Sequence, residues 1–431
     1  MRSGRWILAV ATIPRGHRSC TSLFACAFIR LPQAIRLASA TSHHNHHPQQ
    51  QQQKQQKQQH QGCARLSTKP ITQPGVRVMT RAKMLSSVVP QDVEGNVDGE
   101  CWCGHELFNT VTTEWVQDHL HDPEVALVDI RGRVNKHQDK GSDFSSTVYE
   151  GMKRDYLDAH IPGAVFVDWT KDIAGVDENG VPAQLADRDT FVFAMEERGV
   201  GGDKRVVVYD NGDMLFATRF WWAMRRFGHD RVSVMDGGWA KWMAENRDIT
   251  PDSPCPLKVH VEWTVPAERE RRGISVSAPD VRAALGEKGS VQLLDARAAE
   301  QFTGEVRRAR RGGHIPGAVN TPYREFLAEE SAPEGSYRVF KGLADIEKVF
   351  HSANVDTSAS APPVIAYCNG GVASTLVLFL LYQLHQREHS TTEKNNTSSN
   401  ASDGDGDRAP WANYDGSWNE WGNDEEAPVE R

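Results

Sequence analysis

The chain has 431 residues, of which 25% are charged, and its formal net charge is −8 at pH 7. This length has room for two ordinary domains plus tails. The charge gives no basic surface field and so does not support nucleic-acid binding, and no apolar run reaches the roughly eighteen residues of a membrane span. The cysteines are scattered and odd in number, which indicates a reducing compartment and a catalytic use; they are Cys20, Cys26, Cys63, Cys101, Cys103, Cys255 and Cys368.

The first 42 residues contain six arginines, several serines and threonines, and no acidic residue. This composition is typical of an organellar transit peptide. A secretory signal with residues 7–13 as its apolar core is the rival interpretation, but arginines continue beyond that core and no clear small-residue cleavage pattern follows. We expect a mitochondrial location, with the chloroplast or the cytoplasm as alternatives.

Residues 43–61 form a polar tract of histidine and glutamine that cannot bury enough surface to fold, and we predict a largely disordered linker over 43–106. Cys101, Cys103 and His105 invite a zinc interpretation. The two cysteines are separated by one residue instead of two, however, and no second pair follows. We therefore expect no metal and no other cofactor.

The rest of the chain repeats itself in four blocks that keep the same order. The pairs are VALVDIRGR at 125–133 with VQLLDARAA at 291–299, HIPGAVFVDW from 160 with HIPGAVNTPY from 314, RVVVYDNGDMLFATRFWWAMRRFG from 205 with PVIAYCNGGVASTLVLFLLYQL from 363, and MDGGWAKW from 235 with YDGSWNEW from 414. Alternating strands and helices of this kind predict an α/β fold in which each copy is a mainly parallel sheet with helices on both faces. We place domain one at 107–250, a linker at 251–276 and domain two at 277–424.

Cys368 lies between a predicted buried strand, residues 364–367, and a predicted buried helix, residues 372–384. Ligands of open α/β sheets bind at the carboxyl ends of strands. Gly370 and Gly371 let the backbone curl round the sulfur, and the helix directs unpaired N–H groups toward it. Such a site stabilises a thiolate. The alternative is a small apolar core residue, but that would not need two glycines and an asparagine directly after it.

Two further features of domain two are predicted locally. Ser277, with Asp280 three residues later, is a plausible helix start. Residues 387–410 form an insertion before the last block; it is polar, glycine-rich and acidic toward its end, so we predict a disordered surface loop.

The loop CNGGVA resembles that of the rhodanese family, and specifically its tandem-domain members that act on thiosulfate or 3-mercaptopyruvate. The family loop begins with cysteine, runs six residues and has glycine in fourth place; the matching residues are Cys368, Asn369, Gly370, Gly371, Val372 and Ala373. Cysteine phosphatases share this fold but need an arginine six residues after the nucleophile to hold phosphate. That place is Ser374 here, so the phosphatase interpretation is set aside.

The resemblance implies a sulfurtransferase. Cys368 would take a sulfur from a small anionic donor as a persulfide and pass it to a cyanide or thiol acceptor, with thioredoxin among the candidates. Domain one has Asp210 in the cysteine place and is expected to be catalytically silent, since a carboxylate cannot form a persulfide; we interpret Asp210 as part of a turn-forming Asp-Asn-Gly. A non-enzymatic rhodanese-like module that docks a protein or carries sulfur is the alternative function.

The resemblance also implies a substrate-binding arginine, Arg297, for which the alternative is an ion pair with Asp295 or Glu300. The family commonly has a second arginine where this chain has Gln301, and the arginines that could substitute are Arg307, Arg308, Arg310 and Arg311. Some mercaptopyruvate enzymes of the family pair a loop serine with a histidine and an aspartate from domain one. The matching region of domain one has no histidine, so that triad is not carried over. We assign His160 and His314 to turns and packing, and Trp221 and Trp222 to core and domain-interface packing.

Overall fold

The computed structural model describes residues 107–138, 141, 144–202, 204–251, 261–287, 289–358, 360–395 and 410–431. The predicted transit segment and the linker over 43–106 lie outside these residues, as do all cysteines except Cys368. Among the helices that the structure describes, we find none with the length and apolar character of a membrane span.

The strands of domain one are Thr110–Val111 (β1), Val125–Asp129 (β2), Gly132–Gln138 (β3), Ser145–Gly151 (β4), Val165–Phe166 (β5), Ala174–Val176 (β6), Pro182–Leu185 (β7), Arg205–Tyr209 (β8) and Val232–Met235 (β9). They form a five-stranded parallel sheet with the strand order β1-β9-β8-β2-β5, accompanied by two antiparallel hairpins, β3–β4 and β6–β7. Its helices are Thr113–Asp118 (α1), Lys153–Asp158 (α2), Arg188–Glu196 (α3), Leu215–Arg226 (α4) and Gly238–Ala244 (α5).

Domain two repeats this sheet with the order β10-β16-β15-β11-β12, again all parallel, and carries one hairpin, β13–β14. Its strands are Ser275–Val276 (β10), Gln292–Asp295 (β11), Val319–Asn320 (β12), Leu327–Ala332 (β13), Gly335–Phe340 (β14), Val364–Tyr367 (β15) and Trp411–Tyr414 (β16). Its helices are Ala278–Gly286 (α6), Ala299–Phe302 (α7), Leu343–Ser352 (α8), Ala373–Asn395 (α9) and Ser417–Trp421 (α10). The matching order confirms the predicted fold class of two tandem α/β copies.

The central strands show why the sheets are covered on both sides. In β15, Val364 and Ala366 belong to one apolar core, while Ile365 and Tyr367 belong to another on the opposite face. Successive side chains of a strand point to opposite faces, so an uninterrupted apolar run requires packing on both. Cys368 belongs to the same apolar core as Val364 and Ala366. Its side chain therefore lies on the face of the sheet where the two domains meet.

The two domains share one apolar core at their interface. Helix α4 of domain one packs against α9 of domain two, and a single cluster of buried side chains includes residues of both. Trp221 makes an edge-to-face contact with Phe379, with ring centroids 4.9 Å apart, and stacks on Trp411 at 5.9 Å. Trp222 donates its indole N–H to the Ile274 carbonyl at 3.1 Å. The predicted packing role of both tryptophans is confirmed.

Of the two local predictions made for domain two, one is confirmed and the other is wrong in part. The capping interaction at Ser277 is present, because its backbone N–H donates to the Asp280 carboxylate at 2.8 Å. The prediction of a disordered loop from 387 is wrong for its first part, since α9 continues to Asn395. No proline or glycine interrupts residues 387–395, so the helix continues past its last apolar turn. The remainder of the predicted insertion, 396–409, lies outside the described residues.

Candidate active site

Cys368 follows β15 directly, and the loop after it reaches α9 at Ala373. The side chain is buried, with 4% of its surface exposed. Gly371 has φ +70°, a left-handed conformation that favours glycine, and a β-carbon there would stand 2.5 Å from Asp415 Oδ1. The loop therefore needs a glycine in its fourth place for two separate reasons, conformation and space.

Side chains from β16 and the turn after it hold the loop in shape. The backbone N–H groups of Cys368 and Gly371 both donate to Ser417 Oγ, at 3.1 and 3.0 Å. Asn413 Nδ2 donates to the Gly371 carbonyl at 3.1 Å. Ser374 Oγ lies 3.7 Å from the Cys368 sulfur and donates to Asn413 Oδ1 at 2.6 Å. The serine that replaces the phosphatase arginine is thus part of the loop's internal support.

The matching loop of domain one shows how this backbone treats an anion. The Asp210 carboxylate accepts four backbone N–H groups at 2.8 to 3.3 Å, from Gly212, Met214, Phe216 and Ala217. The bond from Gly212 is the turn contact predicted for Asp-Asn-Gly. Burial raises the pKa of Asp210 to about 6 despite these donors, so the group is mostly an anion at neutral pH.

In the repeat, Cys368 of domain two corresponds to Asp210 of domain one, so we expect the same backbone arrangement around the sulfur. The four amides that correspond to the donors of domain one belong to Gly370, Val372, Ser374 and Thr375. We therefore expect these N–H groups to stabilise a negative sulfur, and the start of α9 adds the positive end of its dipole. In domain one, the Asp210 carboxylate places a negative charge at the point that corresponds to the Cys368 sulfur.

Domain one also contributes directly to the catalytic loop through Arg219, a residue of α4 with none of its surface exposed. Its guanidinium pairs with the Asp415 carboxylate through both oxygens and donates to the Gly371 carbonyl at 3.1 Å. Asp415 in turn accepts the Leu185 N–H from hairpin β6–β7 at 2.6 Å. The conformation of the catalytic loop therefore depends on a cation supplied by the other domain.

A second contribution from domain one is Tyr149 of β4. Asn419 Nδ2 donates to its hydroxyl oxygen at 3.0 Å, and the Asn419 backbone N–H donates to the Asn369 carbonyl at 2.8 Å. A β-carbon built at Gly370 would overlap the Tyr149 hydroxyl and lie 2.8 Å from Asn419 Nδ2. Gly370 does not have a positive φ, so this close approach is why glycine is required there.

Arg297 is placed differently from the substrate-binding role that the resemblance implies. Its side chain is 1% exposed and pairs with Asp295, with Nε donating at 2.9 and 3.0 Å. Nη2 also donates to the Gly313 carbonyl at 2.8 Å, and the guanidinium stacks 4.3 Å from the Trp418 ring centroid. Burial lowers the pKa of Arg297, but the attraction of Asp295 and, less strongly, of Cys368 raises it above its usual value.

The same arrangement occurs in domain one. Arg131 donates through Nε to both oxygens of Asp129, at 2.9 and 3.1 Å, and its guanidinium stands 4.3 Å from the Trp239 ring centroid. The arginine–aspartate pair is thus present in both domains, although domain one has no cysteine at the corresponding place. We therefore attribute the pair to the fold. The geometry therefore favours the ion-pair interpretation of Arg297 over direct donor binding.

Four arginines were proposed as substitutes for the one absent at position 301, and the contacts of Arg310 and Arg311 distinguish those two from Arg308. Arg310 is exposed and pairs with Glu425, and Arg311 donates to backbone carbonyls of domain two. Arg308 is half-buried, and its pKa is lowered by burial alone. Gln301 has a buried Oε1 with no hydrogen-bond partner among the described residues.

Arg308 lines a cleft of about 360 Å³ between the two domains. Hairpin β3–β4 and the turn before β7 form one wall, with Ser146, Thr147 and Asn179 among the lining residues. Asn419 lies on the other wall and links the cleft to the catalytic loop through its bonds to Asn369 and Tyr149. The cleft therefore presents the Arg308 guanidinium beside the carboxylates of Glu420 and Asp424.

The remaining predicted residues agree with packing roles. His160 stacks on Tyr156 with ring centroids 4.0 Å apart, and His314 stacks on Phe302 at 3.6 Å. In the part of the chain that the structure describes, no group of three or more histidine, cysteine, aspartate or glutamate side chains is arranged to hold a metal ion.

Comparison with known proteins shows to which family the chain belongs. The family model described as a rhodanese-like domain matches residues 112–245 and 277–424. The chain belongs to the rhodanese family. This rhodanese is 30% identical over 325 residues to a 3-mercaptopyruvate sulfurtransferase from Escherichia coli (strain K12), a match that covers 74% of this chain and 97% of the relative.

Other relatives agree on the class of enzyme. The chain is 27% identical over 330 residues to a putative thiosulfate sulfurtransferase from Mycobacterium bovis, covering 74% of this chain and 96% of the relative. The crystal structure of a 3-mercaptopyruvate sulfotransferase from Escherichia coli superposes with a TM-score of 0.53 at 29% identity, covering 72% of this rhodanese and 98% of that chain. The chain is thus an enzyme of the sulfurtransferase class.

Sequence reasoning predicted Cys368 and its loop as the candidate site but missed the side chains that contact them. Ser417 lies within the YDGSW block and Asn413 directly precedes it, so their proximity to Cys368 could have been inferred from the parallel arrangement of β15 and β16. Arg219 carried a usable signal as well, because a charged residue interrupts the otherwise apolar helix after Asp210. Tyr149 lies outside the four repeated blocks and offered no comparable signal.

Proposed function

We propose that this rhodanese moves a sulfane sulfur from thiosulfate or 3-mercaptopyruvate to a thiophilic acceptor through a persulfide on Cys368. The observation that carries the proposal is the position of Cys368 between a buried parallel strand and the start of α9, in a loop whose counterpart in domain one binds an anion with four backbone N–H groups. The names of the relatives support the same donors.

The reaction has two steps. The Cys368 thiolate attacks the outer sulfur of the donor; a sulfur–sulfur bond forms, the donor's own bond to that sulfur breaks, and sulfite or pyruvate leaves. A cyanide or thiol acceptor, with thioredoxin as one candidate, then attacks the outer sulfur and releases the thiolate. The loop amides stabilise the negative sulfur before and after each transfer.

Mass spectrometry of the intact protein tests this function. After incubation with thiosulfate or 3-mercaptopyruvate, we expect a gain of about 32 Da, one sulfur atom, that cyanide or dithiothreitol removes. The same treatment of Cys368→Ser should give no gain. A folded wild-type protein that gains no mass with either donor would instead support the alternative of a docking module.

Binding of both anionic donors is expected to depend on Arg308. Replacing it with glutamine removes a cation from the wall of the cleft, and kcat/KM for both anionic donors should fall about tenfold, the lower end of the range for a hydrogen bond to a charged group. Arg310→Gln is the matched control, because Arg310 belongs to the same loop but is exposed and faces Glu425. Equal effects of the two substitutions in steady-state kinetics would contradict a binding role for Arg308.

We also propose that residues 1–42 direct the protein to mitochondria, on the basis of their arginines and lack of acidic residues. Fused to a fluorescent reporter in eukaryotic cells, this segment is expected to place the reporter in mitochondria. A version with all six arginines changed to glutamine should stay in the cytosol. Plastid or secretory location of the unchanged fusion would overturn the proposal.

A further inference from the structure

Tyr149 presents a hydroxyl group to the catalytic loop where the loop itself has no side chain. The tyrosine comes from hairpin β3–β4 of domain one, and its ring is fixed edge-on against Trp169, with ring centroids 5.2 Å apart. Its hydroxyl occupies the space that a β-carbon at Gly370 would need. The third place of the loop is therefore filled from the other domain by a phenol.

The Tyr149 hydroxyl accepts a hydrogen bond, and its own proton remains available for donation. Asn419 Nδ2 donates to the oxygen at 3.0 Å, which uses the phenol as an acceptor. Within the described residues we find no acceptor for the phenol's own proton. Burial first, and the nearby charge of Cys368 second, raise the pKa of Tyr149 well above its usual value, so the group stays protonated at neutral pH.

The two donors of the proposed reaction differ in their need for such a proton. When the Cys368 thiolate attacks thiosulfate, the sulfur–sulfur bond breaks and sulfite leaves with the electron pair as a stable anion. When it attacks 3-mercaptopyruvate, the carbon–sulfur bond breaks and the electron pair remains on carbon as the enolate of pyruvate. The enolate must gain a proton at carbon to become pyruvate, and general acids commonly assist such steps.

We propose that Tyr149 is the proton donor to the pyruvate enolate, and that it thereby adapts this active site to α-keto thiol donors. The phenol gives its proton to the enolate carbon as the carbon–sulfur bond breaks. The thiol proton of the donor, now on the outer sulfur of the persulfide, passes to the phenolate. Tyr149 is then neutral again, the persulfide is an anion held by the loop amides, and no further acid or base is consumed. The assignment rests on the proposed function.

The test compares Tyr149→Phe with the wild-type full-length protein, using both donors. The phenylalanine keeps the ring contact with Trp169 and removes only the hydroxyl. We expect kcat/KM for 3-mercaptopyruvate to fall about a hundredfold, the lower end of the effect of a general acid, and kcat/KM for thiosulfate to change less than about threefold, because that leaving group needs no proton. Tyr337→Phe is the matched control: Tyr337 lies in hairpin β13–β14 and packs near Ala244, away from the catalytic loop.

A solvent isotope effect gives a second reading that does not depend on the variant's stability. In wild-type protein, kcat/KM for 3-mercaptopyruvate should be lower in D₂O than in H₂O, the effect should shrink in Tyr149→Phe, and thiosulfate should show little effect. Equal losses with both donors, or no loss with either, would overturn the role of Tyr149. Absence of any persulfide on wild-type Cys368 would instead overturn the proposed function, so the two failures are distinguishable.

Discussion

Cys368→Ser is expected to abolish sulfur transfer while leaving the fold intact. A hydroxyl at this position cannot form a persulfide, so turnover with either donor should fall by at least about 10⁴-fold. Serine is close to cysteine in size and can hydrogen-bond with Ser374, which lies 3.7 Å from the sulfur. The free energy of unfolding should therefore change by no more than about 1 kcal/mol.

Activity assays and urea denaturation of the same preparations check this pair of expectations. Ser374→Ala separates the thiol from its support: it removes the hydroxyl that donates to Asn413 but keeps the thiol, so it should still form a persulfide, at a lower rate. Substantial turnover in Cys368→Ser would refute the mechanism. A large loss of stability would show that the thiol is a packing residue, as its burial alone would allow.

The second large effect is expected at Arg219. Arg219→Met leaves the buried Asp415 carboxylate without its cation and the Gly371 carbonyl without one of its donors. Breaking a buried ion pair by removing one partner typically destabilises a protein by about 3–5 kcal/mol. Activity measured where the variant remains folded should fall by about 10²-fold, because the loop is no longer held in its reactive conformation.

Arg226→Met is the matched control on the same helix. Arg226 pairs with Glu270, but this pair does not contact the catalytic loop. We expect it to lower stability by a smaller amount, about 1–2 kcal/mol, with kcat/KM almost unchanged. If both variants lose the same activity, the effect of Arg219 is a general consequence of weakening α4 and not of losing support for the loop.

Features that depend on residues close together in the chain could be predicted from the sequence alone. Strand β15 was predicted with its observed bounds, because a short apolar run ending at a glycine-rich turn specifies a buried strand locally. The repeat placed Cys368 opposite Asp210, and comparison of the two copies could also have favoured the ion-pair interpretation of Arg297, since Arg131 has the same spacing from its aspartate.

The contacts that complete the site could not be predicted in the same way. Arg219 and Asp415 are 196 residues apart, and Tyr149 and Asn419 are 270 apart, so their meeting depends on how the two domains pack. The hairpin that carries Tyr149 has no counterpart among the repeated blocks. Side chains that cross between domains have no signature in local periodicity, which is why sequence reasoning predicted the position of Cys368 at the end of a strand but not the side chains around it.

The apolar core shared by α4 and α9 has a consequence for handling the enzyme. A catalytic half cut out at residue 276 would carry an intact Cys368 loop, yet it would present Phe379 and Trp411 to water where Trp221 now covers them. A patch of that kind promotes aggregation. Domain one thus shields an apolar surface of domain two from water, so we expect residues 277–431 to aggregate when they are expressed alone.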